Sequence, residues 1–211
     1  MPWYASGSSA FTIIGRPNEK GTLMTPHEFD TFLKTWNAEA ERTVRVLRSL
    51  PKDKYDFRPD SGGRSLGELA WHLAEGDAYN SYGVAQGGFT PDMRPPGIER
   101  PKQVEALAPG YERVHREAIA RIRAMKPEDL AGSVRYLSGE DRRIADILWE
   151  AIFHNIHHRG QLCLMCRLAG GASPGIFGPN REEMAAIRAQ AAVSAGSPAK
   201  SARTGTGARK A

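Results

Sequence analysis

The sequence lacks any apolar run of the roughly 20 residues that a membrane-spanning helix needs. Its first residues, MPWYASGSSAFTIIG, carry no basic side chain before a short apolar patch, which argues against a secretory signal. It also has little of the apolar–polar alternation that is typical of strands. These absences predict a protein without a membrane span, located in the cytoplasm and built mostly of helices.

Cysteine is scarce as well, since Cys163 and Cys166 are the only two in the chain. They form a C-x-x-C pair, but a redox-active pair usually opens a helix that follows a strand, where the helix dipole lowers the thiol pKa. Here the pair lies deep inside a helical pattern. We therefore expect two buried, inert thiols.

Positive charge is concentrated at the end of the chain. The segment SAGSPAKSARTGTGARKA has Lys200, Arg203, Arg209 and Lys210 and no acidic residue, so it accounts for four of the five formal positive charges. The remainder of the chain has no net charge pattern that would attract nucleic acid, and nucleic acid is not an expected partner. The Gly, Ser, Ala and Pro content predicts a disordered basic tail over residues 194–211.

Four segments carry apolar residues at helical spacing. They run from the capping box Thr25-Pro26-His27-Glu28 to Pro51, from the capping box Ser65-Leu66-Gly67-Glu68 to about Gln86, from about Lys102 to Met125, and from about Arg142 to Leu168. A glycine- and proline-rich segment separates the second from the third and predicts a long crossover. Four long helices predict an all-α four-helix bundle.

The remaining segments complete the expected organisation. Residues 1–24 form an N-terminal extension, residues 25–180 the bundle, and residues 181–193 a short C-terminal helix before the tail. A short extended piece is expected at Ser133–Leu137.

Histidines at helical spacing are the main sign of chemistry. His154 and His158 stand at i and i+4, so their β-carbons lie roughly 6 Å apart on one helical face, and two imidazoles at that spacing can bind one ion. Both fall on the apolar stripe of the fourth helix, and His72 falls on that of the second. Three inward histidines from two helices suit a metal site in a bundle core. The alternative is that each is a core histidine satisfied by other hydrogen-bond partners.

Two of these segments also resemble a known family. The run HNIHHRGQL on the fourth helix, SLGELAWHLA on the second and the later PGIFGP resemble the DinB/YfiT-like metalloprotein superfamily over about residues 25 to 180. The resemblance implies an up-down-down-up bundle, often a homodimer, whose three histidines hold a divalent ion such as nickel or zinc. The family pattern falls on His72, His154 and His158, while His157, Arg159, Gly160 and Gln161 complete the motif without being ligands.

The resemblance also implies a class of activity. Some relatives are S-transferases that use low-molecular-weight thiols, so it implies a metal-dependent S-transferase or hydrolase acting on a small electrophile. The competing interpretation is a non-catalytic, metal-stabilised dimerising bundle or a stress-associated interaction protein. No residue is assigned as catalytic, and no organic cofactor is expected.

Several residues are candidates for roles around the ion. A ligating histidine usually donates its second N–H to a carboxylate or carbonyl, which makes Glu68, Glu75 and Glu150 candidates. The alternative for each acid is a solvated surface charge. Gln161, three residues beyond His158, is expected to be an inward polar group. Arg159 either receives an anionic substrate or pairs with a neighbouring acid. The aromatic residues either line a pocket over the ion or pack in the core or a dimer interface; they are Trp71, Tyr79, Tyr82 and Trp149.

Overall fold

The computed structural model describes residues 25–196, and these form mostly helices. The long helices are α1 (Pro26–Arg48), α2 (Leu66–Ala85), α3 (Leu107–Arg123) and α5 (Ile144–Leu168). A short helix, α4 (Pro127–Leu130), follows α3, and α6 (Arg181–Gly196) follows the bundle. The predicted extension at 1–24 and most of the predicted tail lie outside the described residues. Since α6 reaches Gly196, it runs past residue 193, where the predicted helix ends.

Two helices begin where the sequence predicts. The Thr25 hydroxyl accepts a hydrogen bond from the Glu28 backbone N–H at 3.2 Å, and the Glu28 carboxylate accepts one from the Thr25 backbone N–H at 2.7 Å. Ser65 and Glu68 make the same pair of bonds at the start of α2. Each capping box satisfies two backbone donors that the helix itself leaves unpaired.

Side-chain contacts give the directions of the four long helices. In the pairs α1–α5 and α2–α3, contacts made by later residues of one helix fall on later residues of the other, so each pair is parallel. In the pairs α1–α3 and α2–α5 they fall on earlier residues, so each pair is antiparallel. The contacts are Phe32–Trp149 and Glu39–Arg159, Ser81–Arg121 and Asp77–His115, Asn37–His115 and Arg48–Glu112, and His72–His158 and Asp77–Asn155. The bundle is therefore up-down-down-up, as predicted.

The crossover between the parallel helices α2 and α3 is fixed to the bundle by hydrogen bonds. The Trp71 indole N–H donates to the Ile98 carbonyl at 3.0 Å, and the Tyr55 hydroxyl donates to the Pro101 carbonyl. A 3₁₀ turn at Val104–Ala106 leads into α3, so this helix begins five residues later than predicted.

A small hairpin precedes α5. Strand β1 (Ser133–Arg135) pairs antiparallel with β2 (Asp141–Arg143), and Gly139 in the connecting turn has a φ of +83°, which glycine adopts without strain. The extended piece predicted at Ser133 is therefore confirmed in part. Helix α5 begins at Ile144, two residues later than the predicted start at about Arg142, because Arg142 lies in β2.

The apolar core consists of two clusters with polar side chains between them. One cluster includes Leu47, Leu73 and Leu162, and the other includes Phe32, Ile122 and Ile147. Buried polar residues occupy the level between the two; they are Glu39, Thr43, Asp77, His115, Asn155 and Arg159. We call this set the polar layer. Within residues 25–196, no helix has the length and apolar character needed to cross a bilayer.

Candidate metal centre

His72 lies in the first half of α2, and its ring faces α5. Its Nδ1 lies 3.2 Å from Glu75 Oε2, which stands three residues further along the same helical face. An ionised carboxylate only accepts hydrogen bonds, so the neutral ring carries its proton on Nδ1. The lone pair of His72 is therefore on Nε2.

His158 lies on α5 and is oriented in the same way. Its Nδ1 lies 2.7 Å from Oε1 of Gln161, an amide oxygen that accepts. The neutral ring thus keeps its proton on Nδ1 and leaves a lone pair on Nε2. Gln161 is exposed, so it supports His158 from the solvent side, and the expectation that it is an inward polar group is wrong.

His154 completes the cluster one turn before His158. Its Nε2 lies 3.2 Å from His72 Nε2, while its buried Nδ1 has no hydrogen-bond partner. The ring centroids of the three histidines are separated by 4.4 to 4.9 Å. One donor atom from each of His72, His154 and His158 lies within 4.8 Å of the other two. The structure therefore brings all three predicted residues together.

The donor set fits a divalent ion. Two nitrogens that bind one ion tetrahedrally at about 2.0 to 2.1 Å lie roughly 3.3 Å apart, and the His72–His154 separation is 3.2 Å. His72 and His158 each hold a proton on the outer nitrogen and leave the inner one free to bind. The three histidines can therefore hold a metal ion with little rearrangement on the His72–His154 side.

Burial favours the neutral form of these rings. Desolvation, together with the neighbouring His158 and His72, lowers the pKa of His154 from 6.5 to about 4. Desolvation likewise lowers the pKa of His158, although the hydrogen bond to Gln161 opposes the shift. Since only a neutral imidazole binds a metal, both rings are ready to bind at neutral pH.

Glu75 is held as a carboxylate beside His72. Burial alone would raise its pKa, but hydrogen bonds from His72 and Arg100 outweigh burial and lower the pKa overall. The Arg100 guanidinium lies 3.1 Å from Glu75 Oε1, so one carboxylate links the histidine to the crossover. Of the acids predicted near the cluster, Glu75 is confirmed as the partner of a cluster histidine.

The other two predicted acids have different partners. Glu68 caps α2 and pairs with Arg58 at 2.8 Å. Glu150 is half exposed and pairs with Arg142 of the hairpin at 2.5 Å. Neither contacts a histidine of the cluster, so of the three candidate acids only Glu75 supports a histidine, and Glu68 and Glu150 form ion pairs elsewhere.

The cluster opens into a cleft of about 660 Å³ between α2, α5, the crossover and the hairpin. His72, His154, Glu75 and Tyr79 line the helical wall, and Phe89 and Tyr136 are among the residues that close the opposite side. A small molecule can therefore reach the nitrogens of the cluster from this side.

Comparison with known proteins agrees with this arrangement. The sequence profile described as the DinB superfamily matches residues 35–162, which is more than half of the chain. The chain belongs to the DinB superfamily. Its similarity extends to the protein YrdA of Bacillus subtilis (strain 168), described as uncharacterized, at 30% identity over 162 residues that cover 74% of this chain and 92% of YrdA.

Two solved structures share the fold of this DinB-superfamily protein. A DinB-like protein from Bacillus cereus ATCC 10987 matches with a TM-score of 0.61 and 24% identity over 74% of this chain and 100% of that one. The DinB-like protein YjoA from B. subtilis matches with a TM-score of 0.57 and 19% identity over 71% and 99%. At these identities the likeness establishes the fold.

The neighbours of the motif histidines in this DinB-superfamily protein have structural roles. Arg159 is 2% exposed, and its guanidinium pairs with the Glu39 carboxylate of α1 at 2.6 Å. Of the two predicted roles, pairing with an acid is confirmed and substrate binding is wrong. His157 points to solvent, where the Gln161 amide lies 3.1 Å from its Nε2, and it stays outside the cluster as predicted.

The predicted aromatic set divides between cleft and core. Tyr79 lines the cleft. Trp71 is buried in the core, Trp149 packs against Phe32, and Tyr82 lies beneath the Arg121 guanidinium. Only Tyr79 of this set contributes to the wall of the cleft.

The two cysteines lie outside the cluster. Both are free thiols, and Cys166 is buried while Cys163 is partly buried. Burial raises the pKa of Cys166, which keeps it a neutral thiol at neutral pH. The prediction of inert thiols is confirmed for Cys166.

Sequence reasoning missed the polar residues beside the cluster. The His115 ring lies 2.8 Å from the Asp77 carboxylate, and both side chains are buried. Asn155, which follows His154 directly, donates to Asp77 at 2.8 Å. The partners lie on three different helices, so no spacing within one helix could reveal them.

Proposed function

We propose that His72, His154 and His158 together bind one divalent metal ion, nickel or zinc, and that the protein is a metal-dependent S-transferase or hydrolase. The observation that carries the proposal is the convergence of three imidazoles within 4.8 Å at the edge of a cleft. A purely structural ion is usually enclosed by four protein ligands. Here three histidines converge and two of them, His72 and His154, line the cleft, which leaves room for a further ligand from solution.

The chain's own residues prepare the ligands. Glu75 and Gln161 accept the Nδ1 protons of His72 and His158 and so fix which nitrogen faces the ion. Burial keeps His154 neutral, and Arg100 holds Glu75 in place. An ion at this position would supply Lewis-acid chemistry by lowering the pKa of a bound water or thiol.

The cleft supports a small substrate. Its volume of about 660 Å³ lies within the range of ordinary small-molecule sites. Aromatic side chains of Tyr79, Phe89 and Tyr136 would receive the apolar part of an electrophile, and Glu75 beside His72 is a polar member of the same lining. A low-molecular-weight thiol is the proposed cosubstrate.

Metal analysis of the purified protein tests the first step. Wild-type protein is expected to bind close to one equivalent of nickel or zinc, and His154→Ala to lose it. His157→Ala is the matched control, because His157 stands on the same helix but points to solvent. Equal metal content in wild type and His154→Ala would refute the site.

Turnover tests the second step. Glutathione, bacillithiol and mycothiol are each supplied with model electrophiles, and ester hydrolysis is followed in parallel. We expect activity that depends on nickel or zinc and is lost in His154→Ala but not in His157→Ala. Stoichiometric metal binding without any turnover would favour the non-catalytic, metal-stabilised bundle instead.

We also propose that the protein is a homodimer. Phe153, Leu164 and Leu168 of α5 are more than half exposed and lie on its outer face. A row of large apolar side chains on a long helix is typical of a helix-to-helix contact between subunits. Sedimentation of the full chain measures this directly.

A further inference from the structure

A single carboxylate connects the four long helices at the level of the histidine cluster. Asp77 of α2 is fully buried. Its Oδ1 accepts from the Trp36 indole of α1 at 3.0 Å and from the Asn155 amide of α5 at 2.8 Å, and its Oδ2 lies 2.8 Å from His115 Nδ1 of α3. Hydrogen bonds are directional, so these three bonds fix the heights of the helices relative to one another.

His115 extends the contacts of Asp77 to a second residue of α1. The two ring nitrogens of His115 face two acceptors, Asp77 Oδ2 at 2.8 Å and Asn37 Oδ1 at 3.2 Å. The Asn37 amide nitrogen donates to the Leu33 carbonyl, which identifies the atom facing His115 as the oxygen. The His115 ring therefore bridges Asp77 of α2 and Asn37 of α1.

Asn155 connects this carboxylate to the histidine cluster. It donates to Asp77 Oδ1 and to the Leu73 carbonyl, so it bonds α5 to α2 at two points. It is also the chain neighbour of His154, and Leu73 is the chain neighbour of His72. A shift of α5 along α2 would break the Asn155 bonds and separate the two histidines together.

Gly76 sets how closely the two helices approach at this point. A β-carbon placed there would lie 2.8 Å from Asn155 Oδ1 and 3.4 Å from His154 Nδ1. The first of these distances is shorter than van der Waals contact allows, so any larger residue would have to displace α5 or the Asn155 side chain. The glycine thus permits the close approach that the Asn155 bonds require.

We propose that Asn155 and Gly76 are positioning residues that set the register and separation of α2 and α5, so that His72 and His154 meet at the distance a metal ion needs. This inference rests on the proposed metal site. Neither residue contacts the ion in this scheme. They act by holding His154 opposite His72.

The main test compares Asn155→Leu with Ser81→Ala. Leucine keeps the branched shape and the number of side-chain heavy atoms of asparagine but removes both bonds to α2. Ser81 is equally buried and bonds α2 to Arg121 of α3 at 2.7 Å, away from α5. Affinity for Zn²⁺ and Ni²⁺ is measured by competition with a chromophoric chelator, and the visible spectrum of the Co²⁺ form reports the ligand geometry.

We expect Asn155→Leu to weaken metal affinity about 10- to 100-fold, as loss of groups that orient ligands does elsewhere, and to change the Co²⁺ spectrum. Ser81→Ala is expected to lower the melting temperature while leaving affinity within twofold of wild type. Unchanged affinity in Asn155→Leu, or equal losses in both variants, would overturn the positioning role. If wild type itself binds neither ion, the proposed metal site fails. If wild type binds and Asn155→Leu binds equally well, only the positioning role fails, so the two failures are distinguishable.

A second pair of variants covers the case in which Asn155→Leu does not fold. Gly76→Ala introduces the β-carbon next to Asn155 and His154, whereas Gly160→Ala on α5 has nothing within 4 Å of the new atom. We expect Gly76→Ala to weaken affinity at least tenfold and Gly160→Ala to leave it unchanged. Equal affinities in these two variants would also contradict the proposal.

Discussion

The buried ion pair between α1 and α5 allows a quantitative test of how the bundle is held together. Arg159 is 2% exposed and Glu39 is 8% exposed. The guanidinium reaches the Glu39 carboxylate at 2.6 Å and the Glu39 backbone carbonyl at 2.9 Å. Replacing Glu39 with methionine keeps most of the side-chain volume and removes the negative charge.

The cost follows from leaving one charge buried without its partner. Removing one member of a buried pair typically costs about 3 to 5 kcal/mol. Arg159 would retain the Glu39 carbonyl and the Thr43 hydroxyl at 3.4 Å as acceptors, so we expect a value near the lower end, about 3 kcal/mol. In a domain of this size that corresponds to a fall in melting temperature of about 6 to 12 °C.

A double-mutant cycle gives the coupling energy. Glu39→Met, Arg159→Met and the double variant are unfolded in urea with a chelator present, so that metal binding does not contribute. Arg159→Met should cost less than Glu39→Met, because Glu39 keeps the Arg42 guanidinium at 2.7 Å. The double variant should be far closer to wild type than the sum of the single variants, because no charge is then left without a partner.

An exposed ion pair between neighbouring helices serves as the control. Arg48 and Glu112 lie 2.7 Å apart, but the Arg48 side chain is 65% exposed. Arg48→Met is therefore expected to change the free energy of unfolding by less than about 1 kcal/mol. Strictly additive losses in the Glu39–Arg159 cycle, or a Glu39→Met loss as small as that of Arg48→Met, would refute the reasoning.

Three further predictions concern other parts of the molecule. Because the pKa of His154 falls from 6.5 to about 4 on folding, the unfolded chain binds more protons between these pH values. The free energy of unfolding of the metal-free protein should therefore fall by roughly 2 kcal/mol as the pH is lowered from 7 to 4, after discounting for partial exposure of the ring. In urea unfolding, the stability of His154→Leu should depend less on pH than that of wild type. Trp36→Phe removes one donor to Asp77 and should cost about 1 to 3 kcal/mol in urea unfolding; no loss would mean that water replaces the indole. Leu164→Glu should convert the proposed dimer to a monomer in sedimentation, and an unchanged mass would place the interface elsewhere.

Sequence reasoning succeeded where the determining interactions are local. The starts of α1 and α2 depend on bonds between residues three apart, Thr25 with Glu28 and Ser65 with Glu68, and both were predicted correctly. The convergence of the histidines was predictable for a similar reason. Apolar spacing placed His72 and His154 on the inner faces of their helices, and in a bundle of this kind inner faces meet.

Local pattern was insufficient for the hairpin. Strand β2 is Asp-Arg-Arg, which has no apolar residue and no preference for extended structure. It is extended because it pairs with β1. Strand β1 is also bonded to the crossover, since the Phe89 backbone N–H donates to the Arg135 carbonyl at 2.9 Å. The same hairpin brings Arg142 to Glu150, so that this acid forms an ion pair instead of a contact with a cluster histidine.

The polar layer determines a feature that the spacing of apolar residues cannot predict, namely the position of each helix along its neighbours. Apolar spacing identifies the inner face of each helix, but apolar contacts are not directional, so they tolerate sliding of one helix along another. The bonds of Asp77 to Trp36, His115 and Asn155 would break if a helix slid, because each bond fixes the position of one helix along α2. The spacing of His154 and His158 thus specifies which residues can bind an ion, whereas the layer centred on Asp77 specifies where along α2 they meet His72. If Asn155→Leu leaves metal affinity intact, that division is wrong, and packing of the two apolar clusters alone must set the register.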